Sequence, residues 1–163
     1  MLEIVKQILN FLSIEFTVML VAATPVIEVR GAIPVGIALG LSPLHATIIS
    51  FIGGSLPIPF ILLGVRPLFK WLRQLPALKG FVEKISHKAV GKTEHKVQKY
   101  GAWALLVFVA IPLPGTGIWT GSLAAALLDI RLKWALPAIV TGNAIASLLI
   151  AILSYGFVSV FSI

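Results

Sequence analysis

The sequence predicts an all-α integral membrane protein built as an inverted repeat, with one re-entrant helical hairpin and one transmembrane helix in each half and a basic amphipathic linker between them. Three observations lead there. Of the 163 residues, 58% are hydrophobic and only 12% charged, with a mean hydropathy of +1.03. The apolar stretches are interrupted by proline and glycine at comparable places in the two halves. Nine of the 13 Lys and Arg residues crowd between Arg66 and Lys99. Soluble domains average about 25% charged residues. At half that figure too little polar surface remains to cover a globule in water, so lipid is the solvent for much of the chain.

The length suits one compact membrane domain, with a first repeat over residues 1–65, a linker over 66–100 and a second repeat over 101–163. The opening stretch MLEIVKQILNFLSIEF carries Glu3, Lys6 and Glu15. It lacks a cationic start followed by a small-residue cleavage site, and so reads as mature sequence. Phe11–Leu41 is apolar but interrupted by Pro25, Glu28, Arg30, Gly31 and Pro34. A helix needs about 20 apolar residues to cross the roughly 30 Å hydrocarbon core. This segment is too long for one span and too short for two. Split at Pro25–Gly31, it becomes two arms of about a dozen residues, which suit a hairpin that enters and leaves by one side. His45–Val65 is long enough to cross, with interruptions at Gly53-Gly54, Pro57 and Pro59.

The linker mixes bulky apolar and basic residues at helical spacing, in Pro67–Arg73 and again from Phe81 to Tyr100. An interfacial helix with snorkelling Lys and Arg fits this pattern; a solvated basic connector fits Lys84–Lys99 as well. Ala102–Leu128 divides at Pro112–Gly117 as the first segment does at Pro25–Gly31, and Trp134–Phe157 is a second full span. Pro25 precedes the turn Ser42-Pro43 by 17 residues, and Pro112 precedes Asp129 by the same interval. Each turn leads into an apolar run with a small-residue break, Gly53-Gly54-Ser55 or Gly142-Asn143-Ala144. The order of breaks, rather than residue identity, carries the repeat.

Charge placement chooses the topology. If both broken segments are re-entrant, the linker and the Arg131/Lys133 turn share one side, which then holds 11 of the 13 positive residues. Complete crossings would put them on opposite sides. The positive-inside rule selects the first arrangement, with a cytoplasmic linker, both termini outside and halves of inverted topology in the plasma membrane. This clustering reads as attraction to anionic headgroups rather than to nucleic acid.

Several residues could carry chemistry. Glu28 and Arg30 lie in the first break, and an ionisable group at that depth costs on the order of 2.5–3.5 kcal/mol even on a lenient scale. Residues two apart on a helix do not face each other, so mutual neutralisation needs a non-helical turn, which Pro25 and Gly31 supply. Either the pair only pins the hairpin tip, or Arg30 binds an anion while Glu28 carries a proton or supplies a counter-charge. In the second break, Pro112 and Pro114 remove donors. Gly115 and Gly117 permit backbone amides to form an anion-binding nest, with hydroxyls from Thr116 and Thr120; the alternative is that these residues merely build the turn, as Pro25, Gly31 and Pro34 do in the first. Asn143, near Thr141 and Ser147, offers an amide for helix packing or for substrate. With no cysteine and with His45, His87 and His95 far apart, no metal site or cofactor is indicated. An enzyme would need paired acids or a nucleophile and base, which are not evident, so no catalytic residue is assigned.

The motifs VIEVRGAIPVG and VAIPLPGTGIWTG resemble the small multidrug export proteins, a family distantly similar to the DedA-like (VTT-domain) membrane proteins. The resemblance covers nearly the whole chain. It implies facing re-entrant hairpins and a transporter or flippase role. Among DedA-like relatives, an acid and an arginine in the hairpins go with proton-coupled handling of lipid phosphates; Glu28 and Arg30 match the first-hairpin pair. PLPGTG departs from that pattern, having no charged residue at its tip. The expectation is therefore a transporter of an anionic lipid-phosphate-like substrate, with Glu28, Arg30, Gly115, Thr116, Gly117, Thr120 and Asn143 as its binding residues near the midplane. The alternatives are a lipophilic-cation exporter and a structural membrane protein. Two spans and two hairpins bury little surface alone, so a homodimer or higher homo-oligomer is expected.

The topology can be tested because there is no native cysteine. Single cysteines at Ser86 and Ser162 should react with impermeant maleimide from opposite sides of the membrane. Labelling of both from one side would contradict the re-entrant arrangement.

Overall fold

A computed structural model describes residues 2–72 and 94–161. Residues 73–93, which hold most of the basic linker, lie outside the described residues, as do the side chains of Lys96 and Lys99. The described residues form seven helices and contain no strand. They are α1 (Leu2–Ala23), α2 (Glu28–Ala38), α3 (Pro43–Ser55), α4 (Pro57–Leu72), α5 (Glu94–Ala110), α6 (Ile118–Leu127) and α7 (Leu132–Phe161).

Two apolar spans, Pro43–Val65 and Leu132–Gly156, are long enough to cross a membrane, and only 33% of each window is buried within the chain. A core helix of a soluble protein would bury most of its apolar residues, whereas here Leu44, Phe60, Leu148 and Ile152 are among many large apolar side chains left exposed. Such a surface belongs against lipid.

Local chemistry sets the helix ends. α1 stops before Pro25, which disfavours helical backbone at Thr24. The Thr24 hydroxyl and amide both donate to the Val21 carbonyl, at 2.7 and 3.1 Å, and so satisfy one of the helix's terminal acceptors. α1 also continues nine residues N-terminal to the arm expected from Phe11, although its apolar part, Leu12–Ala23, keeps the dozen-residue length. α3 starts at Ser42, whose hydroxyl accepts from the His45 amide at 3.3 Å, with Pro43 in the first turn. The Gly53-Gly54 pair does not interrupt α3. The interruption falls at Leu56, where Pro57 and Pro59 remove two helical donors.

The chain divides into two compact units, Met1–Pro57 with Asn143–Ile163, and Ile58–Gly142. In the first, α1, α2 and α3 pack on one another around Val18, Ala22, Ala32, Leu41 and Ala46. A second cluster joins Val29 and Ile33 of α2 to Ala146 of α7. His45 Nε2 meets Glu15 Oε1 at 2.6 Å and ties the start of α3 to α1. In the second unit, α5 and α6 pack together, and Ile58, Leu62, Leu105, Val109, Ile118, Ile130 and Ile139 form the core.

The same local geometry recurs 89 residues along the chain. α2 ends in a Schellman motif: Gly40 has φ +94°, its amide donates to the Ile37 carbonyl, and the Leu41 amide donates to the Gly36 carbonyl. α6 ends likewise, with Asp129 at φ +52°, its amide on the Ala126 carbonyl and the Ile130 amide on the Ala125 carbonyl. Val29 and Ile118, Leu41 and Ile130, and Ala46 and Ala135 share that spacing and are all buried. So do Gly53 and Gly142. Asp129 thus corresponds to Gly40, two residues before the Ser42 with which the spacing of breaks alone aligns it.

A Cβ added at Gly53 would lie 2.8 Å from Met19 Cα, where only backbone is present to yield. Gly53→Ala should therefore lower stability by about 1–3 kcal/mol through overpacking, read as a lower unfolding midpoint in detergent. Gly64 and Gly156 face nothing within 4 Å. Alanine there should be neutral or stabilising by up to ~1 kcal/mol. Equal losses at Gly53 and Gly64 would contradict the packing account.

Candidate functional site

The turn from Thr24 to Ile27 delivers Glu28 to the start of α2. Pro25, Val26 and Ile27 are exposed, Val26 at 86%, so the tip is an apolar knuckle. Glu28 has φ +51°, a left-handed conformation that is costly for a residue with a side chain. That departure from helical backbone lets residues two apart face each other. Arg30 Nη2 lies 3.7 Å from Glu28 Oε2, an ion-pair distance rather than a hydrogen bond. The Glu28 side chain is 8% exposed and that of Arg30 20%. The carboxylate is thus sheltered, while the guanidinium keeps a route outward.

Neighbouring residues hold this arrangement. A Cβ on Gly31 would collide with the Ile27 side chain, so the glycine lets the turn close on α2. Pro34 cannot donate to the Arg30 carbonyl. Val29, between the two ionisable residues, is buried against Ala146 and close to Gly54. Any residue larger than glycine at 54 would press on Val29 Cγ1, at 3.3 Å from an added Cβ, and on Asn143 Nδ2 at the same distance.

Asn143 is 2% exposed. Its Nδ2 donates to Ser55 Oγ at 3.2 Å and to the Phe51 carbonyl at 3.4 Å. The amide therefore joins α7 to α3 directly behind Val29. Ser147 donates its hydroxyl to the Asn143 carbonyl at 2.7 Å. These bonds tie α7 to α3, with Gly54 lying between the amide and Val29.

The second break lies in the other unit. Pro112, Leu113, Pro114 and Gly115 lead to Gly117 at the start of α6, with φ +85° at Gly115 and +143° at Gly117. Among the described residues, neither glycine amide donates to a backbone carbonyl. The Thr116 hydroxyl is used by the turn: it accepts from the Leu113 amide at 3.2 Å and reaches the Ile111 and Leu113 carbonyls at 2.6 and 2.8 Å. Thr120 Oγ1 turns to the Gly117 carbonyl at 3.4 Å. Both hydroxyls serve the local backbone, so what this turn offers a ligand is its glycine amides.

Sequence reasoning places Glu28 and Arg30 together, but it misses the His45–Glu15 pair, whose partners are 30 residues apart and carry no shared motif. No cluster of three metal-ligating side chains occurs among the described residues.

A family model described as "Putative small multi-drug export protein" matches residues 28–149, about three quarters of the chain. No curated protein and no solved structure matches it.

The Asn143 contacts generate a stability prediction. Hydrogen bonds between membrane helices average ~0.6 kcal/mol and reach ~1.7 in double-mutant cycles. Asn143→Leu should cost about 1–2 kcal/mol, and its coupling to Ser55→Ala should fall near that average. Zero coupling would mean that the bond contributes nothing.

Proposed function

The chain belongs to the small multi-drug export family, and from that premise we propose that it is a membrane transporter, not an enzyme, working through Glu28 and Arg30. The observation that carries this proposal is the strained, sheltered ion pair beside an exposed apolar tip. A pair needed only to pin a turn could be replaced by apolar packing at little cost. Here the backbone is instead held in a sparsely populated conformation that points the carboxylate at the guanidinium, as functional strain does.

Arg30 has the geometry to take an oxyanion through its planar fork. An anion that engages the guanidinium changes the charge facing the Glu28 carboxylate across their 3.7 Å ion pair, and Glu28 exchanges a proton in response. Anion arrival and proton exchange are then linked. A phosphate on a lipid tail fits an arginine opening outward beside an apolar knuckle, which gives a DedA-like lipid-phosphate flippase. The exposed knuckle at Val26 and the exposed Ile111 and Leu113 support re-entrant hairpins of inverted topology. The recurrence at 89 residues supports the repeat. Under this proposal the protein is a homo-oligomer in the plasma membrane, its linker is cytoplasmic, its termini lie outside, and its partners are lipids, protons and an anionic substrate rather than nucleic acid.

A second reading follows the family description, multi-drug export, with a lipophilic cation as the exported drug and Glu28 as its counter-ion. Arg30 at 3.7 Å from that carboxylate opposes it.

Flux in proteoliposomes separates the two. A lipid phosphate should move, faster with a pH gradient, and a lipophilic cation should not. Arg30→Ala and Glu28→Gln should lower flux at least tenfold while remaining folded in detergent. Unfolding of both variants would assign the pair to structure, and cation flux that needs Glu28 would favour the second reading.

A further inference from the structure

Within the Ile58–Gly142 unit, α5 and α7 are in backbone contact at Gly142. A Cβ there would lie 2.8 Å from the Leu106 carbonyl oxygen and 2.8 Å from Val109 Cβ. Toward the start of α7 a groove of about 310 Å³ opens between the two helices. Trp103 and Leu106 line one wall, and Trp134, Pro137 and Thr141 the other. The α7 residues recur at helical spacing and cover about 10 Å of its length. Pro137 cannot donate to the Lys133 carbonyl, which loosens the helix at this level. Trp103 is 59% exposed, so the groove faces the lipid side rather than an enclosed core.

One end of this groove is charged. Lys133 Nζ sits 5.9 Å from the centroid of the Trp134 ring. Arg131 is exposed in the turn just before it, with Asp129 the acid of that turn. The turn is net positive, and among the described residues no acidic side chain lines the groove. Lys133 and Trp134 open the apolar span Leu132–Gly156, so cation and indole lie at the membrane–water boundary with the apolar slot running inward from them. At the corresponding place in the other unit, 89 residues earlier, His45 stands where Trp134 does, and its bond to Glu15 closes α3 onto α1.

We infer that the α5–α7 groove is a binding site for an anionic phospholipid, whose phosphate meets Lys133 and Arg131 and one of whose acyl chains lies along Trp103, Leu106, Pro137 and Thr141. A lipophilic cation would fit the aromatic walls but meets the wrong charge at the mouth. A zwitterionic lipid fills the slot without the electrostatic gain of about fivefold per basic residue. The site is independent of the Glu28–Arg30 proposal, since none of its residues belongs to that unit.

Tryptophan quenching tests it in the full chain. Trp71→Phe and Trp119→Phe leave Trp103 and Trp134 as emitters. In phosphatidylcholine nanodiscs, chain-brominated phosphatidylglycerol should quench these two at a several-fold lower mole fraction than chain-brominated phosphatidylcholine. Lys133→Gln should raise the half-quenching fraction about fivefold, and adding Arg131→Gln should erase the preference. Arg30→Ala should leave quenching unchanged whatever it does to flux. Equal quenching by both lipids, or a preference that survives both substitutions in folded protein, overturns the proposal. So does quenching that rises only when the chain is diluted to one copy per disc, which would show a second copy covering the groove.

Discussion

The fold turns on how closely α3 can approach α1. Lipid tails are as apolar as leucine, so apolar contact alone does not drive helices together within a bilayer, and packing distance must do so. At Gly53 the two backbones meet, with Met19 Cα 2.8 Å from where a Cβ would stand. One residue on, Gly54 brings α3 up to Val29 and to the Ala22 carbonyl at the end of α1. The helix that follows the Glu28 turn is therefore held by the close approach at these two glycines and by Ala146 of α7, while Asn143 ties α7 to α3. Gly142 makes the equivalent contact between α7 and α5 in the other unit.

That rigidity is what permits a charged turn. Two ionisable groups in an apolar setting are tolerable only when paired, and a helical backbone would keep residues two apart on different faces. The left-handed backbone at Glu28 resolves this at a cost of order 1–3 kcal/mol, which packing around Val29 and Ile33 offsets. The second break has the same place in its helix set but a different content. Glycine with positive φ replaces the glutamate at the start of α6, and no charge is present. One unit presents an ion pair, the other neutral amides.

Much of this was legible in the sequence where the cause was local. Prolines ended helices at Pro25 and Pro112, Ser42-Pro43 started one, and a carboxylate beside a guanidinium in an apolar stretch marked the Glu28–Arg30 ion pair. What depended on distant partners was not legible. Asn143 finds Ser55 across 88 residues, and Glu15 finds His45 across 30. Gly53 and Gly54 read as interruptions because their neighbours in α1 and α2 were invisible. Thr116 read as a free hydroxyl because the turn that uses it, closing on Ile111 and Leu113, has no sequence signature. The linker's pattern fits an interfacial helix or, over Lys84–Lys99, a solvated connector, and its central part lies outside the described residues.

The central claim is that Glu28 changes protonation when an anion engages Arg30. Infrared difference spectroscopy of the reconstituted chain measures this directly through the carboxyl C=O stretch. On addition of a short-chain lipid phosphate, a protonated-carboxyl band should appear, shift in deuterium oxide, and be absent from both Glu28→Gln and Arg30→Ala. A spectrum without that band, although the wild-type chain transports the same lipid, would contradict the account.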